Sequence, residues 1–227
     1  MQTMAATRRC ATPRGKVAAL EAELALREAR LKELSHRVKN SFAILSSLAS
    51  LEASKPQASC AESFNRLRGS VEAMALLYDR LAASGPGELV DAASYLGEIY
   101  GLLAGSIEGV ELELELEPLS LDPRRATALG LAANEMGTNA IKYAFADGRK
   151  GRLRVTLRRK GGEISLAVED DGPGFPRGFD PQRDGGFGLE FLALEARELG
   201  GELRLRCSRD TRRSRPQGAR VELAFPG

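Results

Sequence analysis

The sequence predicts an α plus α/β protein, a helical hairpin followed by a two-layer α/β sandwich. Three observations carry that expectation. From Val17 to Leu48, apolar residues recur in alternating steps of three and four, the pattern of a helix packed against other helices. Gly85-Pro86-Gly87 then breaks the helical pattern. Beyond it, short segments alternate apolar and charged residues with a period of two, which presents one side of a sheet to a core and the other to water.

The first helix spans roughly residues 16–53. Its seam runs through Val17, Leu20, Leu24, Leu31, Leu34, Val38, Leu45 and Leu48, interrupted by Arg27 and Ser41. It stops at Ser54-Lys55-Pro56-Gln57, because proline disfavours helix at the residue before it. Ser59-Cys60-Ala61-Glu62 has capping-box spacing and opens a second helix, whose heptad positions are Phe64, Leu67, Val71, Met74, Tyr78 and Leu81. Two antiparallel helices bury two apolar stripes poorly on their own. Dimerisation into a four-helix bundle solves this, and a monomer that covers the seam with its second domain is the alternative. The expected organisation is a disordered tail over 1–15, a hairpin over 16–85 and a sandwich over 88–227.

In the second half, Asp91 caps a helix to about Ala104. Val110-Glu111-Leu112-Glu113-Leu114-Glu115-Leu116-Glu117 is a strand with a solvated acidic face. Asp122-Pro123 starts a helix through Tyr143, with proline at its first position. Arg152, Arg154 and Arg158 alternate with Leu153, Val155 and Leu157 in the next strand. Ile164, Leu166 and Val168 mark another, and Leu203, Leu205 and Cys207 a third. A helix over about 188–199 lies before the last of these, stopped by Gly200-Gly201. Val221, Leu223 and Phe225 close the chain. One apolar face per strand, with helices interspersed, implies a largely antiparallel sheet covered on one face by helices. The Arg-rich strand is a natural neighbour of the Glu-rich one.

Composition narrows the function classes. Apolar content is 43%, there is no Trp and aromatics are 5% of 227 residues, so the core is aliphatic. A net charge of +2 supplies no bulk field toward nucleic acid. The arginine clusters at 149–160 and 204–215 read as solvated strand faces and come with no recognisable nucleic-acid reading element. Cys10, Cys60 and Cys207 form neither a disulfide framework nor a zinc spacing. No apolar run approaches the ~18 residues of a membrane span, and the N-terminus has no secretory h-region. The expected location is cytoplasmic.

The only histidine, His36, sits in Leu34-Ser35-His36-Arg37-Val38-Lys39-Asn40. With Leu31 and Leu34 on the seam, it points directly away from the seam, where a neutral imidazole is wet and nucleophilic. By position alone it is an ordinary surface histidine. Three short constellations lie where the sheet meets its helices. In Asn134-Glu135-Met136-Gly137-Thr138-Asn139-Ala140-Ile141-Lys142-Tyr143, residues Glu135, Asn139 and Lys142 share a helix face. They suit Mg²⁺ and a phosphate chain, although one helix taken alone more commonly carries a solvent-facing polar stripe. In Val168-Glu169-Asp170-Asp171-Gly172-Pro173-Gly174, Asp170 can accept an adenine amine while glycines let a planar base approach the main chain. In isolation this is a common turn. Gly185-Gly186-Phe187-Gly188 opens a helix and exposes N–H groups to anions. It lacks the Rossmann spacing, and no P-loop is present.

In this order the three constellations resemble the Bergerat-type ATP-binding domain shared by histidine kinases and type II topoisomerases. Preceded by a heptad hairpin with His36, the chain looks like a two-component sensor histidine kinase of the branch with an H-R-x-K-N phosphoacceptor box. The tryptophan-containing signature of a sister branch is missing, since Ser165-Leu166-Ala167-Val168-Glu169 stands in its place. The resemblance implies that His36 is the phosphoacceptor, that Asn139 coordinates Mg²⁺ and that Glu135 is an orienting or activating carboxylate. It also implies that Lys142 contacts phosphates, Tyr143 lines the pocket and Asp170 reads adenine. Gly172 and Gly174 would shape that turn, and Gly186 and Gly188 would hold phosphates under a lid over 175–185. Arg37 stands where many relatives have an acidic residue, so Glu33, one helical turn before His36, is the candidate base. The implied substrate is Mg²⁺·ATP and the implied partner a response-regulator receiver domain, with either a separate sensor protein supplying the signal or the chain being a fragment of a longer kinase. The competing reading is a non-catalytic histidine phosphotransfer or scaffold protein with a degenerate nucleotide domain. A partner-switching serine kinase on the same ATP fold is a third, and it would need neither the hairpin nor His36.

Overall fold

The computed structural model describes residues 17, 20–29, 32, 38, 60–83, 89–105, 108–181, 183–207 and 218–227. His36 and Glu33 lie outside the described residues, as do the tail over 1–15, the turn over 54–57, the linker glycines 85 and 87, and the 208–217 segment. Contacts divide the chain into residues 1–44 and 45–227. In the first unit, α1 (residues 20–29) is helical, with helical residues also at 17, 32 and 38. Its seam residues Val17, Leu20 and Leu24 are exposed, and Arg27 pairs with Glu23 one turn earlier at 2.7 Å.

The second unit is a helical element followed by an α/β sheet domain. It contains α2 (Cys60–Ala83), β1 (Val90–Asp91), α3 (Ala92–Ala104), β2 (Val110–Leu116), β3 (Ser120–Leu121), α4 (Pro123–Ala144), β4 (Gly151–Lys160), β5 (Glu163–Asp170), α5 (Phe187–Glu198), β6 (Glu202–Cys207) and β7 (Ala219–Pro226). The helix starts expected at Asp91 and Asp122 are in place, while Ser59 lies outside the described residues. Asp91 accepts hydrogen bonds from the Ala93 and Ser94 amides, and Asp122 from those of Arg124 and Arg125, with proline at the first turn. Each satisfies donors that a helix start otherwise leaves open.

The five-stranded sheet has the order β2-β4-β5-β7-β6. All neighbours are antiparallel except β2 and β4. That parallel pair follows from connectivity, since the long α4 crossover returns the chain to the end from which β2 started. The β4–β5 hairpin turns on Gly161 and Gly162, both at positive φ (59° and 83°), as a two-residue hairpin turn requires. Leu153, Val155, Leu157, Ile164, Leu166, Val168, Leu223 and Phe225 are buried under the helices. On the opposite face, β2 glutamates lie beside β4 arginines. Arg154 meets Glu113 at 2.8 Å and Arg158 meets Glu115 at 2.7 Å. The two-residue β1–β3 pair is too short to leave a periodic trace in sequence.

Helix α2 differs from the sequence expectation. Its buried face is Ser70, Ala73, Met74 and Leu77, while Phe64 is 71% exposed and Val71 45%. Of the heptad positions read from sequence whose side chains are described, only Met74 is fully buried. The reason is that α2 packs on α3 and α4. The Tyr95 hydroxyl donates to the Ala73 carbonyl at 2.8 Å, and Arg80 donates to Ser94 and Glu98 at 2.8 and 2.6 Å. The compact unit thus takes in α2.

The α3–α4 contact is set by two glycines one heptad apart. The Tyr95 ring and hydroxyl occupy the space where a Cβ on Gly130 would go, and Tyr100 lies 2.9 Å from the corresponding point on Gly137. The Tyr100 hydroxyl donates to the Ala133 carbonyl, and burial pushes both phenols above their ordinary pKa, so they stay donors. Gly130→Ala would overpack a ring whose hydroxyl is already engaged. The expected cost is about 1–3 kcal/mol, read as a fall of several degrees in the thermal midpoint.

Candidate active site

Helix α4 is the element on which the three constellations meet. Asn134 and Glu135 are 4% and 1% exposed, so this is no solvent-facing stripe. As neighbours on a helix they face different directions. Asn134 lies against α2, where a Cβ on Gly69 would come within 2.8 Å of its Nδ2. Glu135 lies against α5. A Cβ on Gly188 would collide with Glu135 Oε1 and stand 2.9 Å from Asn139 Nδ2. The missing side chain at Gly188 thus leaves a carboxylate and a carboxamide beside the first turn of α5. That turn begins at Gly186, an extended N-cap residue with no side-chain cap. Its carbonyl accepts from the Leu189 and Glu190 amides. A Cβ at Gly186 would meet nothing within 4 Å, so any requirement for glycine there is not one of packing.

The Asp-Gly turn meets α4 at its other end. A Cβ on Gly172 would sit 2.5 Å from the Ala144 Cβ, and only glycine allows that approach. Asp170 ends β5 with its Oδ1 accepting the Gly172 amide at 2.8 Å and the Ala219 amide at 3.0 Å. Burial pushes the Asp170 carboxyl above its ordinary value. The two amides and Arg149 pull it back, while Asp171 adds to the rise. Arg149 itself donates to the Asp171 carbonyl at 2.7 Å. Gly174 has φ 74°, and a Cβ there would stand 2.8 Å from the Gly218 carbonyl oxygen.

Lys142 and Tyr143 close the helix. The Lys142 ammonium is 5.0 Å from the Tyr143 ring centroid, and Tyr143 is 62% exposed. The segment between the Asp-Gly turn and α5 folds on itself. Phe175 and Phe179 stack at 5.1 Å, and the Asp180 amide donates to Asp184 at 2.9 Å. Gly218, Ala219 and the Gly69–Asn134 contact were not expected from sequence. A lone glycine before a strand carries no readable signal, and Asp170 and Ala219 are 49 positions apart.

The arrangement suits a nucleoside triphosphate with its cation. Among the described residues no group of three or more His, Cys, Asp or Glu side chains could hold a metal. Mg²⁺ takes few protein oxygens when phosphates supply the rest, and the Asn139 amide oxygen beside the Gly188 cradle fits that role.

Comparison with known proteins bears on this site. A family model described as histidine kinase matches residues 33–107, and one described as histidine kinase-like ATPase domain matches 111–210. The chain is 29% identical over 181 residues to blue-light-activated histidine kinase 2 of Erythrobacter litoralis, covering 77% of this chain and 52% of that protein. It is 29% identical over 209 residues to the sensor histidine kinase PdtaS of Mycobacterium tuberculosis, covering 88% of this chain and 40% of that one. The chain thus spans about half, or less, of the length of these curated relatives. Among solved structures, the histidine kinase domain of an Erythrobacter litoralis blue-light activated histidine kinase superposes with TM-score 0.67 at 25% identity, over 87% of this chain and 93% of that one. A mycobacterial sensor histidine kinase, MprB, shares the fold at TM-score 0.51 and 24% identity, over 62% of this chain and 97% of its own.

Proposed function

The chain belongs to the histidine kinase family, and from that premise we propose that it transfers the γ-phosphoryl group of Mg²⁺·ATP to His36 and thence to an aspartate of a response regulator. The observation that carries the reading is the Gly188 cradle, in which two separate constellations bring Glu135 and Asn139 to the open first turn of α5. Helix N-termini favour phosphate through exposed N–H groups and the helix dipole. The Asp170 carboxylate, held by two amides, offers an acceptor to the 6-amino group of adenine.

In the proposed reaction the unprotonated imidazole nitrogen of His36 attacks the γ-phosphorus. A P–N bond forms, the bond to the β–γ bridging oxygen breaks, and ADP leaves. Glu33, one turn away, takes the proton from the other ring nitrogen. Such transfers depend mainly on positioning and on neutralising charge. Asn139 would hold Mg²⁺, which would supply charge neutralisation to the phosphates. Glu135 orients the amide and the waters around it, and Lys142 reaches the phosphates. Tyr143 flanks the nucleotide, and Gly172, Gly174 and Gly186 let backbone approach it. We assign residues 16–85 to phosphoacceptance and dimerisation and 88–227 to nucleotide binding. No helix among the described residues is long and apolar enough to cross a membrane. We place the protein in the cytoplasm, as a homodimer that takes its signal from a separate sensor protein or from residues beyond this sequence.

Incubation with γ-labelled ATP and Mg²⁺ tests the reading. Acid-labile, base-stable label is expected on the native chain and is expected to vanish in His36→Gln and Asn139→Ala. Label that persists in His36→Gln would defeat the assignment of the acceptor. Absence of both label and nucleotide binding in the native chain would favour the scaffold reading.

A further inference from the structure

The connection into β7 touches the Asp-Gly turn more closely than a passing loop would. Ala219 is the first residue of β7, and its amide donates to Asp170 Oδ1 at 3.0 Å. Gly218 before it is buried, has φ 96°, and approaches so closely that a Cβ there would collide with the Asp170 carbonyl oxygen. On its other side, Gly218 presents its carbonyl oxygen to Gly174. Oδ1 thereby accepts two amide donors, and among the described residues Oδ2 accepts none.

We propose that the Gly218–Ala219 turn is a base-selectivity element, whose Ala219 amide holds Asp170 as an acceptor-only carboxylate facing position 6 of a bound purine. The inference rests on the adenine-reading role given to Asp170 above. An ionised carboxylate can only accept, so it matches a 6-amino group and repels a 6-oxo group. Once protonated, the same group can donate to a 6-oxo oxygen, and the distinction weakens. Burial and the neighbouring Asp171 favour protonation, whereas Arg149 and the two amides favour the charged form. Glu169 and Arg220 flank this region but are paired with each other. The Gly172 amide belongs to the Asp-Gly turn itself. The Ala219 amide is the donor supplied from a distant part of the chain.

The test is binding of MgADP and MgIDP, which differ at the purine 6-position, to the full chain between roughly pH 5 and 8. Ala219→Pro deletes the one donor, and the first residue of a strand tolerates proline. The native chain is expected to prefer MgADP, with affinity lost on the acid side as Asp170 protonates. In Ala219→Pro, the preference should narrow about tenfold, as expected for losing one hydrogen bond to a charged group. Its acid limb should also move to higher pH. An unchanged preference and pH profile in a folded variant would overturn the proposal. If the variant does not fold, the native chain still decides by amide NMR. The Ala219 and Gly172 amide protons should shift together through one midpoint on acidification, and not in Asp170→Asn. A stationary Ala219 amide would overturn the proposal as well. If Asp170→Asn binds MgADP as tightly as the native chain, the adenine-reading role itself fails, and this inference fails with it.

Discussion

Gly188→Ala is expected to lower autophosphorylation by roughly a hundredfold or more, the scale on which a displacement of about 1 Å in catalytic groups acts, without unfolding the protein. The added methyl would fall on Glu135 Oε1 and crowd the Asn139 amide. Both groups sit on a helix gripped from other sides by Tyr95, Tyr100 and α2, so the backbone has little freedom to retreat. The side chains must move instead. Alanine is also a better helix former than glycine by about 1 kcal/mol, so the substitution does not weaken α5 through its intrinsic propensity. The measurement is label incorporation from γ-labelled ATP alongside a thermal melt. Gly97→Ala on α3, where a Cβ meets nothing within 4 Å, serves as the control. Near-native labelling in Gly188→Ala would mean that Glu135 and Asn139 are not held where phosphoryl transfer needs them.

Glu195→Gln is expected to stabilise the protein above neutral pH and to do nothing in acid. Glu195 is buried on α5, and burial, with the nearby Glu198 adding to it, pushes its carboxyl from near 4.5 up to about 8. Below the lower value both folded and unfolded chains carry the proton, and no penalty exists. As pH rises from there to about 8, the unfolded chain releases the proton and the folded chain retains it, so stability falls steadily. Above about 8 the loss is complete. Each tenfold difference in proton affinity between the folded and unfolded chains is worth about 1.4 kcal/mol. Relaxation and water entry around the buried charge lower the sum, so removing this group gains on the order of 3 kcal/mol. That corresponds to about 10 °C in the thermal midpoint at roughly pH 8.5. Melts of both proteins from about pH 4.5 to 8.5 should diverge with increasing pH. Parallel curves would show that Glu195 ionises in the folded state as readily as in water.

The parts of the fold that sequence reasoning reached were those written in local chemistry. Asp91 and Asp122 cap the helices they were expected to cap, and the Leu-Glu and Arg-Leu alternations became β2 and β4, side by side with their charges paired. What it missed was written in distance. Phe64 and Val71 share a heptad with Met74, yet only Met74 is fully buried. A second face, Ser70, Ala73 and Leu77, packs on α3 and α4 instead. A helix that is apolar on two sides does not announce which side finds a partner first. The burial of Glu135 beside Gly188 links two motifs that each looked ordinary alone, and no spacing within either could have revealed it. Ala219 reaches Asp170 through its main chain, so its side chain carries no trace of the role.

The outer face of the sheet has a consequence for where this molecule can be approached. Arg152, Arg154 and Arg158 are matched by Glu111, Glu113 and Glu115. Arg204 is matched by Glu163, Glu202 and Glu222, and Arg220 by Glu169 and Glu222. Opposite charges sit beside one another within and between strands, so the potentials of these pairs cancel within a Debye length of about 8 Å. To a polyanion or an acidic partner drifting past, these paired arginines are nearly invisible. A greasy surface settling there would have to strip water from a lattice of charges and would gain little in return. Where its arginines and glutamates are paired, the sheet therefore turns a mute back to solvent.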